Sequence, residues 1–192
     1  VEGFEKKFPG KTFYVNLASN YWDPDFGALY PDGYTRVNKY IELYCDEVLD
    51  KLHGRKILSM DLYPLMVRDT GRKVLRKEWL KHLEVCALIA RSRGYEYHFY
   101  IQTTGGWDAV AKTPFETSSR APETMEDLRI QCYGALAYGV RGIAQFTYKS
   151  QLAFRETAVA DKNGPTHRYP LVKRMNGELQ SLAPYILPYK WQ

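Results

Sequence analysis

One carboxylate, several amides and a set of aromatic side chains stand near the ends of short apolar segments of this chain. Asp61 closes "KILSMD", and Tyr63 follows it. Asn16 lies near the end of "KTFYVNL", with Asn20 and Trp22 just beyond. Gln102 and Trp107 belong to "YEYHFYIQTTGGW", and Thr147 and Tyr148 to "RGIAQFTYK". A carboxylate at such a position can act as acid, base or nucleophile. Asn and Gln donate and accept hydrogen bonds at once, which matches hydroxyl groups. Tyr and Trp present a flat apolar body with a polar tip, suited to covering the faces of sugar rings. Together these types suit an uncharged, polyhydroxylated ligand, a carbohydrate. Asp61 is the candidate catalytic residue, the alternative being an Asp that bonds backbone or anchors an Arg. Asn16, Asn20, Trp22, Tyr63, Gln102, Trp107 and Tyr148 are the candidate substrate contacts. His98 sits deeper and reads as a hydrogen-bonded core histidine. Glu156 follows the last strand, as a solvated loop acid or one that reaches the ligand. Glu96 starts its strand and belongs at the opposite end.

Other chemistries find less support. There is no lysine cluster and no metal-ligand spacing, so neither a metal nor a cofactor is expected. Gly105-Gly106 is a weak phosphate signal, because no helix starts directly behind it. The net charge of +5 comes from Lys and Arg scattered among acids, whereas nucleic-acid binding needs a concentrated basic stripe. No apolar run reaches the roughly 18 residues of a membrane span. Cys45, Cys86 and Cys132 sit in apolar helical patterns and read as small core residues.

The candidate residues need elements to hold them. Strands are expected over 11–17, 56–64, within 95–107 and over 141–149. Helices are expected over 34–54, 77–94, 122–139 and 169–186. Val37, Ile41, Tyr44, Val48 and Leu52 mark one helical stripe; Trp79, Leu83, Cys86 and Ala90 mark the next. A third is Met125, Leu128, Cys132, Ala135 and Leu136, in a helix with Pro122 in its first turn. The last is Leu171, Met175, Leu179 and Leu182. Residues 103–121 read as a long loop. The βα order, repeated, implies parallel strands with right-handed crossovers.

An open doubly wound sheet and a (β/α)8 barrel both fit that order, and alternation decides between them. An open sheet covered on both sides has two apolar faces. Here Phe13, Val15 and Leu17 alternate with Tyr14 and Asn16. Leu58, Met60 and Leu62 alternate with Ile57, Ser59 and Asp61. Tyr97, Phe99 and Ile101 alternate with His98, Tyr100 and Gln102. In a barrel the apolar set meets the helices and the other set points inward, reaching ligand at the C-terminal mouth. In the fourth strand Phe146 and Tyr148 point in with Gln145 out, or the reverse. The expected class is therefore α/β, a TIM-barrel fragment of four consecutive βα units.

Half a barrel leaves two strand edges open, and "VEGFEKKFPGK" reads as a helix tail turning into a strand. The expectation is a piece of a longer chain whose other units precede Val1, a processed N-terminus being the alternative. Residues 1–188 would form the C-terminal half of the barrel and 189–192 begin a linker or tail. The missing half, or a second copy, would be a partner.

"FYVNLASNYW", "KILSMDLYPL", "YHFYIQTTGGW", "RAPETMEDLRIQCYGALAYGVRGIAQFTY" and "LVKRMNGELQSLAPYI" resemble, in the same order, the C-terminal half of bacterial (β/α)8 glycoside hydrolases related to the family 42 β-galactosidases and family 5-like enzymes. The resemblance spans nearly the whole chain and implies barrel strands five to eight. It also implies glycoside hydrolysis and a periplasmic or extracellular location. That clan's acid/base Glu ends strand four, which would lie before Val1. Its nucleophile Glu ends strand seven, where this chain has Ile101 and Gln102. A Gln cannot form the glycosyl ester, so the usual retaining pair is not assembled from this segment. Either Asp61 replaces that Glu, or another mechanism applies, or the domain is a non-catalytic sugar-binding pseudo-enzyme.

Overall fold

The computed structural model describes residues 2–17, 33–106, 108–113, 116–150 and 156–189. Four strands form a parallel sheet in the order β1-β2-β5-β8: β1 (Asn16–Leu17), β2 (Ile57–Asp61), β5 (Glu96–Gln102) and β8 (Gly142–Phe146). Between and after them run α2 (Gly33–Tyr44, continued by a π-helical stretch, Cys45–Leu49), α3 (Trp79–Ser92), α4 (Met125–Ala137) and α5 (Tyr169–Ile186); a short α1 (Glu2–Lys7) precedes β1. The protein is thus α/β, with a parallel sheet whose strands are linked through helices.

The apolar alternation does what strand geometry requires. Leu58, Met60, Leu62, Phe99 and Ile101 are buried in one cluster with Ile41, Cys45 and Leu49 of the first crossover, Trp79, Leu83 and Cys86 of α3, and Leu128 and Cys132 of α4. Burial pushes the Cys45 thiol up to about 11 and those of Cys86 and Cys132 to about 12. All three are free thiols inside the core, kept protonated and inert. Thr124, not Pro122, starts α4: its hydroxyl accepts from the Asp127 amide, and Asp127 reciprocates in a capping box. Pro122 lies just outside the helix.

The stretch expected as a long loop, and the segment between the second expected strand and the helix after it, carry strands. β3 (Leu65–Val67), β4 (Lys73–Leu75), β6 (Asp108–Thr113) and β7 (Glu116–Ser119) form a second, antiparallel sheet in the order β4-β3-β7-β6. Three of the four, at three or four residues, are too short to show a period. Their existence depends on pairing between segments far apart in the chain, such as Met66 with Ser119. This sheet rises from the C-terminal ends of β2 and β5, on the side where the parallel strands end. A two-strand ribbon, β9 (Ala160–Asp161) with β10 (Gly164–Pro165), follows β8.

Backbone closeness explains Gly105. A Cβ there would lie 2.2 Å from the Ala121 nitrogen and 2.3 Å from the Arg120 carbonyl carbon. Gly105 therefore lets two loops touch rather than cradling phosphate. Gly105→Ala is expected to lower stability by about 2–3 kcal/mol, the cost of overpacking against unyielding backbone, read as an earlier urea midpoint. An unchanged midpoint would mean that the two loops do not meet.

Candidate functional site

The polar alternates of the parallel strands share the face opposite the helices. In register, Asn16 lies beside Ser59, Ser59 beside His98 and His98 beside Gly142; one layer on, Asp61 lies beside Tyr100 and Tyr100 beside Ala144. The ambiguity of the fourth strand resolves here. Phe146 is on the polar face, stacked on Tyr63 with ring centroids 5.3 Å apart. Gln145 turns to the helices and donates to Asn176 Oδ1 of α5 at 2.9 Å.

A hydrogen-bonded row crosses this face. Tyr14 Oη and Ser59 Oγ are 2.9 Å apart, and Ser59 Oγ donates to Asn16 Oδ1 at 2.8 Å. Asn16 Nδ2 donates to Asp61 Oδ2 at 2.8 Å, and the Tyr63 hydroxyl donates to the same oxygen at 3.1 Å. Asp61 is 9% exposed and Ser59 is fully buried. Burial first, and then the neighbouring Asp61 carboxylate, hold the Tyr63 hydroxyl well above its ordinary pKa. The same two causes raise Tyr40 on α2. Burial raises Tyr14. These phenols remain donors throughout the physiological range.

The structure brings together three of the expected site residues, Asn16, Asp61 and Tyr63. Asn20, Trp22 and Trp107 lie outside the described residues. Tyr148, 57% exposed just past β8, stands at the same end of the sheet as Asp61. Ser59 and Tyr14 belong to the site although they were read only as part of the polar alternation. Their signal was the alternation itself, since Ser59 is two residues before Asp61 and Tyr14 two before Asn16.

Gln102 has a different job from the one expected. Its side chain is fully buried. Oε1 accepts from the Leu65 amide at 2.9 Å, and Nε2 donates to the Leu65 carbonyl at 3.3 Å and the Arg120 carbonyl at 2.8 Å. Both amide hydrogens and one oxygen lone pair are taken by backbone, so the amide ties β3 and the end of β7 to the top of β5. The expected sugar contact gives way to this structural role.

The remaining candidates follow local geometry. His98 packs its ring over Gly142, where a Cβ would come within 2.5 Å of it, and lies 5.7 Å from the Tyr14 ring. Burial, the largest cause, lowers its pKa despite Glu96. Glu96 is at the other end of the strand and pairs with Arg55 at 2.5 Å. Glu156 does reach the C-terminal loops. Its Oε2 accepts from the Ala121 amide at 2.6 Å, 3.7 Å from the buried Arg168 guanidinium. Its backbone bonds Gly105 and the Thr104 hydroxyl.

Compared with protein-family models and with curated proteins, the chain gives no match. Among the described residues, no three His, Cys, Asp or Glu side chains group as metal ligands. No helix among them is long and apolar enough to cross a membrane. The site therefore offers one buried carboxylate that accepts from an amide and a phenol, flanked by aromatic rings at the C-terminal ends of parallel strands. Such a group can accept from ligand hydroxyls, take a proton, or support developing positive charge.

Proposed function

We propose that the chain supplies four consecutive βα units, strands five to eight, of a (β/α)8 glycoside hydrolase-like domain. An uncharged oligosaccharide would lie at the C-terminal mouth, with Asp61 as the carboxylate of the reaction and Asn16 and Tyr63 beside it. The observation that carries this reading is the Tyr14–Ser59–Asn16–Asp61–Tyr63 row on the face of the parallel sheet opposite the helix-packed core. Ligands of such folds bind outside the carboxyl ends of the strands. The Tyr63–Phe146 stack adds aromatic surface next to the carboxylate. The likeness of the sequence segments to the family 42-related and family 5-like enzymes supports the same substrate class.

A second reading, a sugar-binding barrel without hydrolysis, is favoured by Gln102. It stands where that clan places its nucleophile and is tied to backbone on three sides. Both readings require sugar binding. Titrating a panel of neutral plant and host oligosaccharides into the protein, followed by saturation-transfer NMR and reducing-end assay, is expected to give saturable binding to at least one glycan. Release of new reducing ends selects the first reading, and binding without release selects the second. A panel with no binder sinks both.

A further inference from the structure

The donors and acceptors of the row have a direction, and Asp61 sets it. A carboxylate at this oxygen accepts, so the amide edge of Asn16 at 2.8 Å from Asp61 Oδ2 must be Nδ2. The other edge, Oδ1, then faces Ser59 and only accepts. Ser59 has one hydroxyl hydrogen and gives it to Asn16 at 2.8 Å. Tyr14, 2.9 Å from Ser59 Oγ, must therefore be the donor in that contact. From Tyr14 to Asp61 the hydrogen bonds run one way, through the fully buried Ser59 and the partly buried Asn16, and Tyr63 donates to Asp61 from the other side.

We infer that Ser59, backed by Tyr14, is a positioning residue that locks the Asn16 amide with its N–H edge toward Asp61. The inference deepens the proposed function and rests on its use of Asp61. The reverse orientation of Asn16 would set Oδ1 against the carboxylate, and Nδ2 against a hydroxyl that has turned around. Without the Ser59 hydroxyl, nothing in the row opposes that rotation except Asp61 itself. The consequence for a ligand is direct: Asn16 and Tyr63 both donate to the Asp61 carboxylate, and a ligand group that meets the same carboxylate oxygens must donate as well. A sugar hydroxyl does so, and an ether or O-methyl group at the same place does not.

The test reads Asn16 directly in the sugar-free protein, by ¹H–¹⁵N spectra of its side-chain amide. In Ser59→Ala, solvent exchange of the Nδ2 protons is expected to quicken about tenfold, the equivalent of one lost hydrogen bond. Ser59→Thr keeps the hydroxyl and should restore the slow exchange. Tyr14→Phe should move the same signals in the same direction by less. Backbone amides of β5 serve as the folding control. If Ser59→Ala fails that control, Tyr14→Phe, at a half-exposed position, decides alone. Unchanged Asn16 signals in the folded variant overturn the inference, and so does a Ser59→Thr effect equal to that of Ala. The readout involves no sugar. A protein with an intact row and no affinity for the glycan panel would lose the proposed function and keep this inference.

Discussion

Gln102→Glu is expected to destabilise the protein by about 3–5 kcal/mol at neutral pH and to create no new activity. Under the proposed function, the substitution would install a carboxylate where a retaining glycoside hydrolase would carry its nucleophile, so it is the natural attempt to build a retaining pair. The geometry opposes it. Gln102 Nε2 donates to two carbonyls, Leu65 and Arg120, from a fully buried position. A carboxylate turns both contacts into oxygen facing oxygen, strips a charge of water and takes the Gln102 donor from the Arg120 carbonyl, while the Leu65 carbonyl keeps the Arg120 amide. The penalty has a pH signature. The new carboxyl would have a folded-state pKa raised above its unfolded value of about 4.3. Below that unfolded value both states are protonated and the ionisation part of the cost is absent. It grows as pH rises from there to the folded pKa and then levels off. Urea titrations of the variant should therefore show partial recovery in acid. Native-like stability at pH 7 would mean that the amide does not hold these loops.

Asp61→Asn has the second large effect, this time on chemistry. The replacement is isosteric, and its Oδ1 can still accept from Asn16 and Tyr63, so the fold should hold within about 1 kcal/mol. What is lost is the charge and the basic oxygen. If the protein hydrolyses a glycan, turnover should fall about 10²- to 10⁴-fold, the usual weight of a positioned acid or base. Binding of that glycan, followed by calorimetry, should persist. Unchanged turnover removes Asp61 from the mechanism. Loss of binding with turnover would make Asp61 a binding group first.

Much of the fold was legible because its signals are local. The helical stripe through Trp79, Leu83, Cys86 and Ala90 needs only a 3.6-residue period, and all four are buried. The four parallel strands appear within the expected stretches, most of them shorter, because residues at the ends of a run lose their pairing partners. The antiparallel sheet was not legible. "LMV" and "KVL" carry too few residues for a period, and what makes them strands is the neighbour each finds after the chain has folded back.

The site divides along the same line. Alternation alone determines that Tyr14, Asn16, Ser59, Asp61, His98 and Tyr100 share a face, since successive side chains of a strand point opposite ways. It cannot say what each group bonds. Asn16 reaches Asp61 across 45 positions of sequence, and Gln102 reaches Leu65 across 37. Those pairings depend on strand register and on the paths of the connecting loops. Two polar residues on the same face, Asn16 and Gln102, look alike in sequence. Asn16 ends among side chains beside a carboxylate, while Gln102 ends against the backbone of Leu65 and Arg120. Which amide stands beside a carboxylate and which one is spent on backbone is set by what the tertiary structure brings within about 3 Å of it.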